Sequence, residues 1–297
     1  MTAFVKGHVV FIFLGYLVVG LAVIGSYVLM GGHLGALYQP FEFLLIGGCA
    51  VGAYIGGSNL DSVRLLGRAI PWALRRDTHN KALFMELLSV LYKILQRMRR
   101  DGPMAIESEI EDPPASPLFA EFPQVTRNPR LMEFLTDYLR IMISGNMNAF
   151  EIEQLMDEEI EAAKNEHDIP INALKSVADG LPAFGIVAAV LGVVKALAAV
   201  DQPPAILADL ISKAMVGTFL GILLSYGFVS PLASALERQA KARLKTLECI
   251  KITLLASLNG YPPPLAIEFG RKVLFSSVRP SFSELDGHVR EFRRQAD

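Results

Sequence analysis

The sequence predicts an all-α integral membrane protein, four transmembrane helices plus a helical cytoplasmic domain. Three observations carry the prediction. Four apolar stretches approach or reach the roughly 20 residues of helix that cross a hydrocarbon core about 30 Å thick. Charge is segregated: 52% of the 297 residues are hydrophobic and 20% charged, and the charged ones gather in blocks between the apolar stretches. Inside those blocks apolar residues recur with a helical period, and no alternating strand pattern or hairpin signal stands out.

The first stretch, 9–30, is apolar throughout, broken only by Gly15, Tyr16, Gly20, Gly25, Ser26 and Tyr27. It outruns the h-region of a signal peptide, typically about 7–15 residues, and no small-x-small cleavage site follows, so a retained helix is expected. The second, 43–55, is the shortest; it extends to Gly57 and back to Glu42. The third, "LPAFGIVAAVLGVVKALAAV" at 181–200, has Pro182 at its start and a single charge, Lys195, near its far end. The fourth is "AMVGTFLGILLSYGFVSPL" at 214–232. Small residues recur in all four, as expected where transmembrane helices pack closely.

Lys and Arg set the orientation. The loops 31–42 and 201–212 contain neither, while Lys195 and Lys213 flank the second loop and can snorkel to its interface. The block after the second span carries Arg64, Arg68, Arg75, Arg76, Lys81, Lys93, Arg97, Arg99 and Arg100, and the tail opens with Arg238, Lys241, Arg243 and Lys245. Both termini, the middle block and the tail are therefore expected in the cytoplasm. The resulting division is 1–57 with two spans, 58–180 as a cytoplasmic helical domain, 181–232 with two more spans, and 233–297 as a cytoplasmic helical tail.

Within the block, "ALFMELLSVLYKILQRMRR" at 82–100 places Phe84, Leu87, Leu88, Leu91, Ile94, Leu95 and Met98 on one helical face. Its last turn is rich in arginine, which suits the dipole, and Gly102-Pro103 stops it. Asn128-Pro129 reads as a cap followed by proline at the first helical position, with an end near Gly145. Asn148 and Glu151 form a capping-box pattern ahead of an acidic helix. The stretch 112–123, with four prolines, reads as a loop.

A net charge of −2 gives no basic face for nucleic acid. Cys49 and Cys249, the two cysteines, form no disulfide framework, and nothing has zinc-ligand spacing. Gly-rich nucleotide loops and nucleophile elbows are missing too, so an enzyme is not expected. The spans hold no Asp, Glu or His at mid-depth; Glu42 and Asp209 lie at span edges. If the protein conducts protons, the titrating carboxylate must come from another chain, because intramembrane ionisable groups are kept for such tasks. Pro182 and Pro231 each remove a backbone donor, which either bends a helix or simply starts or ends one. Thr218 either bonds its own helix backbone or lines a pathway. Arg99 reads as a helix end that complements the dipole and Glu107 as a solvated charge.

Several stretches carry a family resemblance: "GGHLGALYQPFE" (31–42), "YLRIMISGNMNAFEIEQLMDEEIE" (138–161), "LPAFGIVAAVLGVV" (181–194), "AMVGTFLGILLSYGFVSPLA" (214–233) and "NGYPPPLAIEFGRKVLFSSVRPSF" (259–282). With the order span, span, block, span, span, tail, the chain resembles the MotA family, membrane subunits of the bacterial flagellar stator.

The resemblance implies a multi-pass protein of the bacterial inner membrane and a homo-pentamer around a dimer of the single-span MotB. It implies that an aspartate of MotB binds the travelling ion and that the cytoplasmic domain acts on the rotor protein FliG. It gives rotor-interacting roles to Arg99 and Glu107 in "RRDGPMAIE" and channel roles to Pro182 and Pro231. Sodium-driven members place a threonine where this chain has Ala189, and Thr218 matches a hydroxyl position in the fourth span. One hydroxyl is poor coordination for sodium, so protons are the expected coupling ion, with no other cofactor. An energiser similar to ExbB or TolQ is the alternative, although those have one span before the cytoplasmic block; so is a non-conducting membrane scaffold.

Overall fold

The computed structural model of the chain describes residues 7–74 and 78–296; Arg75 and Arg76 lie outside the described residues. The helices in order are α1 (Gly7–Leu29), α2 (Leu34–Leu37), α3 (Pro40–Gly56), α4 (Leu60–Ala73), α5 (Lys81–Asp101), α6 (Glu107–Glu111) and α7 (Pro117–Ala120). There follow α8 (Pro123–Thr126), α9 (Pro129–Ser144), α10 (Ala149–Leu197), α11 (Pro204–Ile222), α12 (Ser230–Leu258), α13 (Pro263–Val273) and α14 (Phe282–Ala296). A π-helical segment, Leu223–Val229, joins α11 to α12 without a break. Among the described residues there is no strand.

The chain divides into two compact units, one of Met1–Arg76 with Glu166–Arg238, the other of Asp77–Asn165 with Gln239–Asp297. The first contains the apolar helices. Among the described residues four helices are long and apolar enough to cross a membrane: Val10–Leu29, Leu34–Gly56, Ala149–Leu197 and Pro204–Leu258, the last two extending well past their apolar stretches. Outward residues such as Phe11, Leu17, Leu21, Ile186, Val190 and Val194 are exposed large apolars. The inward contact is small and close-packed: Ile46, Ala50, Leu181, Ala188, Val216 and Leu220 form one buried cluster.

Of the readings left open for two prolines, the helix start or end is not what forms. Pro182 does not start a helix; it lies inside α10, which continues through it and through Pro170. Proline removes one hydrogen bond and clashes with the preceding turn, yet helices built from apolar residues tolerate it where neighbours re-satisfy the freed groups. Pro231 likewise sits inside continuous helix, directly after the π-helical segment.

The second unit is built around α5. Asn80 caps it by accepting from the Leu83 amide at 3.0 Å, and Gly102, at φ 90°, ends it in a conformation that favours glycine. Phe84, Leu87, Leu88, Leu91 and Leu95 are buried with Phe119, Phe134, Leu135, Tyr138, Ile250, Leu254 and Ile267 in one core. Asn128 caps α9, which Pro129 opens and Gly145 closes at φ 66°. The capping box before α10 is reciprocal: Glu151 accepts from the Asn148 amide at 2.8 Å and Asn148 from the Glu151 amide at 3.0 Å. The proline-rich stretch expected as a loop contains α7, and α8 follows at once. Pro117 and Pro123 each stand at a first helical position, and Ser116 caps α7 through the Phe119 amide.

Candidate functional site

The third and fourth apolar spans meet along a seam of glycines that brings backbone against backbone. A Cβ placed on Gly221 would lie 2.6 Å from the Leu181 carbonyl oxygen and 2.9 Å from the Cα of Gly185. One on Gly185 would lie 2.9 Å from the Gly217 oxygen and 3.3 Å from the Cα of Thr218. One on Gly217 would meet the Ala188 Cβ at 2.9 Å and the Ala189 amide at 3.4 Å, and one on Gly192 the Ala214 Cβ at 2.5 Å. The pattern Gly217-x-x-x-Gly221 is the small-xxx-small arrangement that lets transmembrane helices approach this closely.

Two residues singled out in the sequence lie on this seam, Ala189 and Thr218, both half-buried. Pro182 directly follows Leu181, whose carbonyl faces Gly221. Pro231 lies beyond the π-helical segment, ten residues after Gly221. Glu42, in the first turn of α3, reaches the same place: its Oε2 would be 3.2 Å from a Gly217 Cβ and is buried without a hydrogen-bond partner. The seam thus holds one hydroxyl residue and one carboxylate, the latter at the edge of its span. The wall has few polar side chains.

Arg99 and Glu107 lie in the other unit. Arg99 is exposed in the last turn of α5; Glu107 is exposed at the first position of α6, across the turn made by Gly102 and the 3₁₀ segment Pro103–Ile106. Their neighbours are engaged. Arg97 pairs with Glu109 at 2.7 Å, and Arg100 bonds Asp101 through Nε and Nη2, both at 2.9 Å. Burial alone would raise Glu109, but hydrogen bonds from Ser116 and Arg97 outweigh it and hold its carboxyl below the ordinary range. The Arg100 hydrogen bond likewise lowers Asp101. Among the described residues neither Arg99 nor Glu107 has an ion-pair partner within 4.0 Å. Both adjacent arginines are exposed, and Arg100 is the one that contacts its neighbour Asp101.

Sequence reasoning passed over two side chains of the first unit. The Tyr16 hydroxyl donates to the Phe228 carbonyl at 2.7 Å, and the Ser225 hydroxyl donates to the Ala178 carbonyl at 2.6 Å. Both contacts are remote in sequence, so no local pattern announces them.

The family model "Motility protein A N-terminal" matches residues 13–102, and "MotA/TolQ/ExbB proton channel family" matches 128–249. Motility protein A of Salmonella typhimurium is 54% identical over 282 residues, 95% of this chain and 96% of that one. The chain belongs to the motility protein A family. Motility protein A of Escherichia coli is 52% identical over 279 residues, covering 94% of this chain and 95% of its own length. In fold, the chain is similar to the MotAB structure from C. jejuni, with a TM-score of 0.76 at 21% identity over 91% of this chain and 97% of that one. It is also similar to the flagellar MotAB stator complex from Bacillus subtilis, TM-score 0.72 at 24% identity, covering 96% and 98%. This is a channel family, not an enzyme family.

Proposed function

We propose that the chain is the ion-channel subunit of a bacterial flagellar stator, and that it turns proton flow into torque on the rotor. Near-full-length identity of 54% to a motility protein A carries this reading. The match of residues 13–102 to the motility protein A N-terminal model favours a motor over an envelope energiser or a passive scaffold. Several copies, five by family resemblance, surround a single-span MotB-like partner in the inner membrane, with both termini in the cytoplasm. The partner contributes the intramembrane aspartate, since the seam residues Gly185, Ala189, Gly217 and Thr218 offer no carboxylate of their own at mid-span. Ala189 provides no ligand and Thr218 a single hydroxyl, which suits a proton better than sodium.

Protonation of the partner's aspartate removes a charge whose passage across the membrane is worth about 2.3 kcal/mol per 100 mV. The loss of charge lets the ring shift about the partner, with Pro182 and Pro231 as the points where the third and fourth spans bend. Arg99 and Glu107 then meet complementary charges on the rotor protein FliG. Their exposure and lack of an internal partner support this role, and such pairs, roughly 0–1 kcal/mol each, release as readily as they form.

The experiment is reconstitution in sodium-free vesicles with a pH-sensitive dye inside. Proton uptake is expected only when the MotB-like partner is present. Robust uptake by this chain alone, or an absolute need for sodium, would overturn the reading. Reversing Arg99 to Glu should impair swimming more than Arg99→Ala, and a compensating reversal on FliG should restore part of it.

A further inference from the structure

A proline in a helix leaves the carbonyl four residues earlier without its donor, and a buried carbonyl so exposed must find another. For Pro182 that carbonyl belongs to Ala178, which is buried. The Ser225 hydroxyl supplies the missing donor at 2.6 Å. Ser225 is itself only 1% exposed and sits in the fourth span, not in α10. A helical serine ordinarily bonds back to its own chain; this one is turned across to its neighbour.

A related shortage exists at the second proline. Through Leu223–Val229 the bonding runs five residues back, and the Ser230 amide still bonds the Ser225 carbonyl. Pro231 then has no amide to give, and α12 returns to four-residue spacing. The donor that Pro231 withholds is the one the Gly227 carbonyl, four residues earlier and next to Phe228, would have received. The Tyr16 hydroxyl from the first span donates to the Phe228 carbonyl at 2.7 Å, with its ring against that of Phe228 at 5.0 Å between centroids.

We propose that Ser225 and Tyr16 are positioning residues for the ion-driven cycle: Ser225 gives its hydroxyl to the carbonyl that Pro182 leaves without a donor, and Tyr16 gives its own to the carbonyl beside the one that Pro231 leaves short, tying the first span to the fourth and the fourth to the third. This rests on the reading of Pro182 and Pro231 as hinges. A proline hinge without a second donor has an unsatisfied carbonyl in its closed form and drifts. A neutral hydroxyl bond fixes that form and still lets go when the span bends.

The test uses the complete complex with its single-span partner and measures both thermal unfolding and swimming speed. Ser225→Ala is expected to lower the melting temperature by ~2 °C. In a Pro182→Ala background the same change should lower it by nothing further, because residue 182 then supplies its own amide to the Ala178 carbonyl. Ser225→Ala and Tyr16→Phe should each slow swimming at least about twofold at unchanged complex level, and Ser225→Thr, which keeps the hydroxyl, should restore it. Equal losses in both backgrounds, or normal speed in both single variants, would overturn the proposal. Normal swimming by Pro182→Ala alone would refute the hinge reading, and with it the positioning role, even if the thermal cycle held.

Discussion

Replacing Gly221 by alanine adds one methyl where the seam has no room. That carbon would stand 2.6 Å from the Leu181 oxygen and 2.9 Å from the Cα of Gly185, both backbone atoms with no rotamer to yield. Carbon atoms rest about 3.5–4.0 Å apart, so the two spans must part locally by roughly 1 Å. Overpacking of this kind costs about 1–3 kcal/mol. Two backbone contacts below 3.0 Å put the cost in the upper part of that range, about 2–3 kcal/mol; alanine returns about 1 kcal/mol through its better helix propensity, which leaves a net loss of about 1–2 kcal/mol and a roughly five- to thirtyfold shift toward the unfolded or dissociated state. Gly20→Ala is the internal control: nothing lies within 4 Å of its added carbon, so propensity acts alone. The assay is thermal unfolding of the purified complex with its partner, where about 2–4 °C is expected per kcal/mol, together with swimming speed. If Gly221→Ala melts at or above the unmodified protein while Gly20→Ala does the same, backbone contact along the seam is not what joins these spans.

Three further outcomes follow from the second unit. Arg271, buried in α13, makes a two-point pair with Glu268 at 2.6 Å and 2.6 Å and donates to the Pro280 carbonyl at 2.9 Å. Arg271→Ala should lower stability by about 2–3 kcal/mol in chemical denaturation of the complex, and Arg271→Lys should recover only part, since an ammonium cannot reproduce the fork. Gly270→Ala should be worse than an ordinary helical substitution, because its carbon would fall 2.0 Å from Thr253 Oγ1 and 3.1 Å from the Cys249 oxygen. Thr253→Ala in the same chain should restore part of the melting temperature. The hydrogen bond from Lys81, then those from Ser281, pull Glu284 down to about 2 from 4.5, and the hydrogen bond from Arg271 lowers Glu268 as well. Lowered carboxylates stabilise the fold fully above the unfolded value and lose that contribution as pH falls through the folded one. The melting temperature should therefore drop between about pH 4.5 and pH 2 through these two groups; an onset set by them near pH 7 would contradict the assignment.

What was legible in the sequence was whatever is local. The periodic face of α5, the Asn128-Pro129 start and the Asn148–Glu151 capping box each involve residues within a turn or two, and each forms as read. Proline was harder. As a first helical residue it turned an expected loop into the short helices α7 and α8, while in apolar sequence it failed to interrupt α10 at all. The difference is the surroundings: a backbone group freed among buried apolar neighbours has to find a donor within the protein, so the chain stays helical and borrows one. Those donors were illegible, because Tyr16 and Phe228 are 212 positions apart and Ser225 and Ala178 are 47 apart. The choice between Arg99 and Arg100 rests on resemblance, since both side chains are exposed.

The π-helical segment has a practical consequence for anyone scanning the fourth span residue by residue. An α-helix advances about 100° per residue, so the wider turn across Leu223–Val229 slips the phase by about one such step. A wheel drawn at uniform pitch from Ala214 onward would rotate Pro231 and Ala233 away from the sides they occupy, and labels or cysteines placed from it would probe the wrong azimuth. Two separate wheels, one ending at Ile222 and one beginning at Ser230, keep the map true.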